Sequence, residues 1–506
     1  MKKYWAFSII FILGFLIGTP FDILAQSKIK IIGAKRLKQQ DSPLGPVRQL
    51  IGDVRLKQDD TFMFCDSAVI LEDSNIVKAF GNVRMNKGDS LFVEGDSLRY
   101  YGNKKIAKLR GNILLEDPNQ KLKTNYLNYD MSNDIAYYLY GGTVTNKKDN
   151  TQLKSESGYY YSNTNQFIFE GKVSSTTDDY IIDSDTMHYN TLSKQNRFFG
   201  PTTIWSDSTE IYCEYGWLDQ ENDLAVLSRN ASIKNKETVL KGDSIRYKQE
   251  EGFGEIFGHA WIEDTANHVI VTGDYAWYNQ VDSTSFVTGK AQMIQVMDQD
   301  SLFLHADTLQ TVDDSTGTHK EIQCFHHVKF FKKDIQGKCD SMVFFQAADK
   351  ISMYREPTIW SDSNQITGEH LNLFMNENSI DSIEVIDNAL IVSQFDSIHF
   401  NQIRGRLLTA YFKENDLYKV FITGNGESNY FIADEKELLL GMNHIICSDF
   451  QIDLKDNAVQ NIKAYVQPDA TFYPPKDFSE EILFFRSFVW LDEIRPKSKF
   501  DIFNWP

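Results

Sequence analysis

Proline, cysteine and positive charge are all in short supply, and each shortage removes a class of protein. The 506 residues contain only 11 prolines and 5 cysteines. So few prolines exclude a proline-rich or collagen-like design and leave room for long β-ladders. The cysteines are too few for a disulfide-stapled scaffold. No CxxC or HExxH motif and no His/Cys cluster of zinc spacing occurs, so no metal site and no cofactor is expected. The 52 Lys and Arg are outnumbered by 70 Asp and Glu, for a net charge of −18. That balance argues against a nucleic-acid partner, which requires clustered positive charge. The one long apolar run, from Tyr4 to Ile17, follows Lys2 and Lys3 and precedes the small-residue segment at Ala25 and Gln26. At roughly 14 residues it is short of the ~20 that span a membrane, and residues 1–26 read as a secretory signal peptide. With no cysteine near the cleavage region and no second such run, the exported chain is expected to be soluble or peripheral, without a lipoprotein anchor.

What is present is repetition. Val93-Glu94-Gly95-Asp96-Ser97-Leu98-Arg99-Tyr100 returns almost residue for residue as Leu240-Lys241-Gly242-Asp243-Ser244-Ile245-Arg246-Tyr247. Further copies centre on Asp66, Asn125, Glu156, Asp185, Glu214, Asp274, Asp307, Asp340 and Glu369, at a period of about 30 residues. Half a period away runs a second motif: Gly81-Asn82-Val83, Gly111-Asn112-Ile113, Gly142-Thr143-Val144, Gly171-Lys172-Val173, Gly258-His259-Ala260 and Gly289-Lys290-Ala291. Turn signals such as Lys87-Gly88-Asp89, Gly102-Asn103-Lys104, Asp117-Pro118-Asn119 and Lys148-Asp149-Asn150 lie between the two.

Each turn-to-turn segment therefore reads as one long strand with a kink at its middle. Leu91 and Val93 share a face, as do Leu98 and Tyr100, but Val93 and Leu98 are an odd number apart, so strict alternation slips at Gly95-Asp96. A bulge there, with glycine tolerating the unusual backbone angles, returns the apolar row to the inside. The expected fold is all-β: an elongated, stacked antiparallel β-jellyroll solenoid, or β-taco, whose bent strands form two walls around an open apolar trough. The expected organisation is a signal peptide over 1–26, an irregular N-terminal cap over 27–50, about 13 repeats over 51–466, and a capping tail over 467–506. In the tail, Ser479 caps a short helix reaching Arg486, docked by Phe484, Phe485, Phe488, Val489 and Trp490 as a lid on the final layer.

The inner face is assigned to Val83, Met85, Leu91, Val93, Leu98, Tyr100, Ile113, Leu115, Leu240 and Ile245. Phe92, Tyr126, Trp261 and Phe286 are counted among the large interior residues. Opposed apolar faces bury themselves by interdigitating or by enclosing an apolar ligand, and alternation is compatible with both. Cys65, Cys213 and Cys339 share one repeat position at a crowded corner, many layers apart, and are expected as free thiols. The recurring Gly-Asp-Ser is not a catalytic serine, because a catalytic group is singular and paired with a base. Its Asp and Ser are expected to hold kinked backbone amides. Calcium in the Asp column lacks the nonapeptide signature of β-rolls. The histidines are scattered over unrelated repeat positions. No catalytic residue is assigned, and an enzyme is not expected.

The run Phe80-Gly81-Asn82-Val83-Arg84-Met85 followed by Gly88-Asp89 and Val93 to Tyr100 resembles the OstA-like (organic solvent tolerance protein A, LptA-like) family over residues 50–460. The resemblance implies stacked β-jellyroll units in which the acyl chains of lipopolysaccharide slide, without catalysis. It implies lipopolysaccharide or a related lipid as ligand, with the inner-face residues Val83, Met85, Leu91, Val93, Leu98, Tyr100, Ile113, Leu115, Leu240 and Ile245 as its candidate contacts. It also implies envelope transport proteins of similar fold as partners, joined by end-to-end strand addition, in the periplasm or at the outer membrane of a Gram-negative bacterium. This chain is much longer than the family's bridge component and lacks the barrel of its translocon component. Two other readings remain beside it. One is a structural solenoid with a self-filled core, which an apolar cleft would exclude. The other is a polysaccharide-binding or lyase-type repeat protein, with aromatics and carboxylates gathered on one exposed wall.

Overall fold

The computed structural model describes residues 27–505, apart from positions 44, 89–90, 149–150, 178–179, 298–299, 377–378, 414–415, 435, 437 and 456–457. The expected signal peptide lies outside the described residues, as do parts of two predicted turns. The chain divides into two units: residues up to Asn150 with Ser157–Asn163, and Thr151–Glu156 with Thr164 onward. Both are built almost wholly of antiparallel strands.

In the first unit the strands Thr61–Leu71, Ile76–Lys87, Leu91–Tyr101, Ile106–Glu116 and Gln120–Asp130 pair in sequence order. Every pairing slips once, at mid-strand. Phe80 faces Ser97 and Val83 faces Gly95, so Gly81 and Asn82 together oppose the single Asp96. Two residues against one is a β-bulge, which bends the strand and sends its halves into different walls. The half that ends at the Gly-Asp motif, such as Leu91–Gly95, belongs to wall A. The half that follows, from Ser97, belongs to wall B.

The conformational demand falls on the second motif, not the first. Gly81 and Asn82 have φ of 75° and 44°, and Gly111 and Asn112 have 79° and 44°. Gly95 is absent from the left-handed residues, and a methyl group there would meet nothing nearer than 3.4 Å. Small residues are needed at that corner for space, which is why Cys65 also fits. The aspartates do not chiefly hold backbone amides as expected. Asp66 accepts from the side chain of Asn82, and Asp96 from that of Asn112, each at 2.8 Å across 16 residues. Asp243 and His259 repeat the contact in the second unit at 2.9 Å. The reason is geometric: the left-handed residue of one strand projects directly over the carboxylate of its neighbour. Residues 27–50, expected to be irregular, instead include the strands Lys30–Gly33 and Arg36–Ser42, both paired to Gly45–Gln58.

The second unit continues the same grammar through Glu210–Asp219, Leu224–Lys234, Thr238–Lys248, Phe253–Asp264, Val269–Asn279, Thr284–Val296 and Ser301–Asp313. Its inner residues form one apolar cluster running from Cys213 to Ile452. All five cysteines are buried and unbridged. Past Pro474 the tail makes one α-helical turn, Glu480–Leu483, shorter than expected, among three short 3-10 turns. It does not lid the last layer. It runs back over the outer face of wall A, where Phe485 is buried against Leu390 and Val392 and flanked by Phe400, Phe488 and Trp490. The outward residues of these strands are what draw it there, as described below.

Candidate functional site

Alternation and the bulge together decide what faces inward, and they place the assigned residues as expected. Val83, Met85, Val93, Leu98, Tyr100, Ile113, Leu115, Leu240 and Ile245 are all buried, and Leu91 is half-buried at a strand end. Four others are corrected. Phe92 and Tyr126 are 46% and 44% exposed. Trp261 and Phe286 are half-buried on outer faces. Each sits one residue from an inward neighbour (Val93, Leu127, Ile262 and Val287), and period-two geometry sends it to the opposite side. Phe286 stacks on Trp277 there, 6.2 Å between ring centroids, and Tyr275 packs on Phe257 at 5.3 Å.

The two units treat their interiors differently. In the first, Leu56, Met63, Met85 and Val93 on wall A and Val77, Tyr100, Ala107 and Leu109 on wall B are at most 1% exposed. A gap wide enough for hydrocarbon would also admit water, so these side chains already fill the space between the walls. Burial pushes the Tyr100 hydroxyl pKa far up, as a dry interior requires. The open edge is also bridged from wall to wall. Gln58 donates to the Gly102 carbonyl at 3.1 Å, Asp59 pairs with Lys105 at 2.8 Å, and Lys87 pairs with Asp134 at 2.6 Å. Partial burial pulls the Lys87 pKa down, but the Asp134 hydrogen bond and nearby charges outweigh it and the net shift is upward.

Between Glu210 and Asp313 the second unit is lined differently. The corner row carries Cys213, Gly216, Ala231, Gly242, Ala260, Gly273, Ala276, Ala291 and Ala306. Ala231, Ala260 and Ala291 stand where the first unit has Val83 and Ile113, and Gly216 and Ala276 where it has Leu98 and Leu127, whereas Cys213, Gly242, Gly273 and Ala306 repeat the small position of Cys65 and Gly95. Further from the corner, Ile211, Ile262, Val271, Met293 and Leu302 on wall A and Tyr247 on wall B are only half-buried. Among the described residues from 235 to 313, the hydrogen bonds and ion pairs at the hairpin tips run along one wall. Gln295 donates to Asn267 and Thr265 to Glu237 on wall A, and Glu250 donates to Asp223 on wall B. None joins tip to tip across the opening. We read this stretch, small at its alanine floor and half-buried along its aliphatic sides, as a wedge. Of the assigned residues, Leu240 and Ile245 line it, and the other eight lie in the filled interior. The residues that flare it were not singled out from sequence, although Ala260 and Ala291 stood in the quoted motifs where other copies have Val or Ile.

Nothing in the wedge is set up for covalent or acid–base chemistry. The nearby thiols are held protonated by burial, Cys213 near pKa 11 and Cys324 near 12. Among the described residues no three His, Cys, Asp or Glu side chains converge on a metal position. His259 and His327 instead pair singly with Asp243 and Asp307 at the corners.

Two family models match the chain over residues 26–379. A family model described as OstA-like protein matches residues 26–185. Another, described as LptA/(LptD N-terminal domain) LPS transport protein, matches residues 139–280 and 270–379. The LPS-assembly protein LptD of Nitrosomonas eutropha is 32% identical over 89 residues, which is 16% of this chain and 12% of that protein. The crystal structure of LptH, the LptA homologous periplasmic component of the lipopolysaccharide transport device of Pseudomonas aeruginosa, aligns with 28% of this chain and 95% of its own, at 12% identity and a TM-score of 0.22.

Proposed function

The chain belongs to the OstA-like, LptA/LptD-related family, and from that premise we propose that it shelters the acyl chains of lipopolysaccharide or a related lipid in the wedge of its second unit. The observation that carries this reading is the row of half-buried aliphatics, Ile211, Ile262, Val271, Met293 and Leu302, above an alanine floor. Each methylene taken from water into such a space is worth about 0.8 kcal/mol. Successive strands repeat the lining, so neighbouring positions differ little in energy and a chain slides rather than traps. Binding is passive, with no catalytic step, and directional movement comes from a partner. The signal peptide expected over residues 1–26 and the family support export to the periplasm, with residence there or at the outer membrane.

Partners of similar fold would add strands at the free edges. Lys30–Gly33 and Arg36–Ser42 pair only with Gly45–Gln58 among the described residues. At the other end Ala458–Tyr465 and Asp469–Tyr473 pair only with Leu439–Lys455. Unpaired edges of this kind accept a further strand. The scaffold reading keeps a place in the first unit, where the filled interior supports a purely structural role.

The test is a spin label on Met293→Cys in the purified protein, titrated with lipopolysaccharide. Native thiols do not compete, because burial holds Cys65 and Cys213 at pKa values near 11. The label is expected to lose mobility as lipid is added, while one on exposed Asn103→Cys does not. Unchanged mobility at saturating lipid would refute the wedge as the site.

A further inference from the structure

The outer face of wall A in the second unit carries a row in which four polar side chains alternate with Val392 and Trp360, none of them part of the interior. Strand register aligns Asn429, Gln402, Val392, Gln365, Trp360 and Gln336 side by side across six strands. Gln402 and Gln365 are both 0% exposed, although they point away from the core. What buries them is the tail.

The contact is read through the backbone. Gln402 donates to the Leu483 carbonyl at 2.7 Å and accepts the Phe485 N–H at 2.9 Å. Gln365 does the same one stretch later, donating to Val489 at 2.8 Å and accepting from Leu491 at 2.7 Å. Each glutamine therefore grips the carbonyl of one residue and the N–H of the residue two further on, as a neighbouring β-strand would. Asn429 donates to the Ile482 carbonyl at 3.0 Å. Lys329 donates to the carbonyls of Ile494 and Asn504. Between the clamps the buried tail anchors are few, chiefly Phe485 and Ile502.

We propose that this face is a built receptor for an extended peptide, and that residues 479–505 occupy it as a detachable ligand in cis rather than as part of the core. The composition of the row carries the argument. A face meant to be covered permanently gains most from apolar side chains. This one surrounds a narrow apolar strip of Leu390, Val392 and Trp360 with Gln, Asn and Lys side chains that meet the tail's backbone and hydrate once uncovered. The buried apolar cluster that anchors the tail, Leu390, Val392 and Phe485, is separate from the main interior cluster, which does not depend on it.

The experiment uses the full chain with a protease recognition sequence inserted between Lys476 and Asp477, cleaved after folding. The released fragment is expected to stay bound through gel filtration and to exchange with an excess of labelled synthetic peptide spanning 479–506. A peptide N-methylated at Phe485 and Leu491 keeps every side chain but loses the two clamped donors. It should bind roughly tenfold to a hundredfold more weakly, the loss of two net hydrogen bonds. Gln365→Leu in the receptor should weaken the parent peptide by a similar factor. A fragment that never exchanges, a fragment that dissociates and does not rebind, or an N-methylated peptide as tight as the parent would each overturn the proposal. The N-methylated peptide is tested on the unaltered wall, so misfolding of a variant cannot decide the result.

Discussion

After each left-handed pair the first unit places Val83 or Ile113, and the stretch of the second unit from Glu210 to Asp313 places Ala231, Ala260 or Ala291. The same bulge, the same corner carboxylates and the same hairpins surround both. One row of side-chain volumes thus separates an interior that closes on itself from one whose sides stay accessible. Where the row is large, opposed walls interdigitate to crystal-like density and the rim is bridged by Gln58, Asp59 and Lys87. Where it is small, the aliphatic side chains beyond it, such as Ile262 and Met293, stay half-buried. A repeat fold can in this way assign support and cargo to different stretches of one architecture.

Truncations should expose the contrast most strongly. Leu109→Ala in the filled unit removes a fully buried side chain and should cost about 2–5 kcal/mol in urea unfolding. Met293→Ala in the wedge should cost only about 1 kcal/mol, since a half-buried side chain surrenders half its transfer energy and leaves no closed cavity. Equal losses would break the comparison. Next in size is the backbone. Gly81→Ala meets both φ of 75° and the Asp66 carboxylate at 2.5 Å, and should cost about 1–2 kcal/mol. Gly95→Ala, with ordinary contacts, should stay within about 0.5 kcal/mol, measured in the same way.

The rim contributes less. Asp134→Asn removes the partner of Lys87, a pair with about a quarter of each side chain exposed, and should cost about 1 kcal/mol or less. Hydrogen exchange should quicken at the tips near residues 87 and 134 and leave the wedge unchanged. The smallest effect is a pH response at the end of the tail. Burial depresses the pKa of His305, which stacks on Phe503 at 4.7 Å. With a folded pKa below the ordinary 6.5, the unfolded or undocked state gains a proton first. Stability is therefore lost as pH falls from about 6.5 toward the folded value. Once corrected for the intrinsic amide exchange rate at each pH, protection of residues 500–505 should be lower at pH 5.5 than at 7.5 in the native chain, and His305→Gln should flatten the difference.

The phase of the repeat was legible because period-two alternation and its slip at Gly95-Asp96 are written in residue order. That phase correctly turned Val93, Leu98 and Ile245 inward. Phe92 and Phe286 were misassigned when size outweighed parity, although parity was equally visible. The alanines at 260 and 291 were visible too, but the meaning of a small residue depends on what stands across the trough, which one strand does not record. Gln365 and Gln402 were not singled out from the sequence, where alternation alone puts them on the outward face. Only register, aligning them across strands far apart in sequence, makes them a surface that a tail can grip.

Photocrosslinking in living cells compares the two interiors most directly. A photoreactive residue at Met293 and one at Met85 occupy the same position in two different repeats, one in the wedge and one in the filled unit. Lipid adducts at position 293 with none at 85 are the predicted result. Adducts at both positions, or at neither while exposed control sites react, would contradict the division of labour between the units.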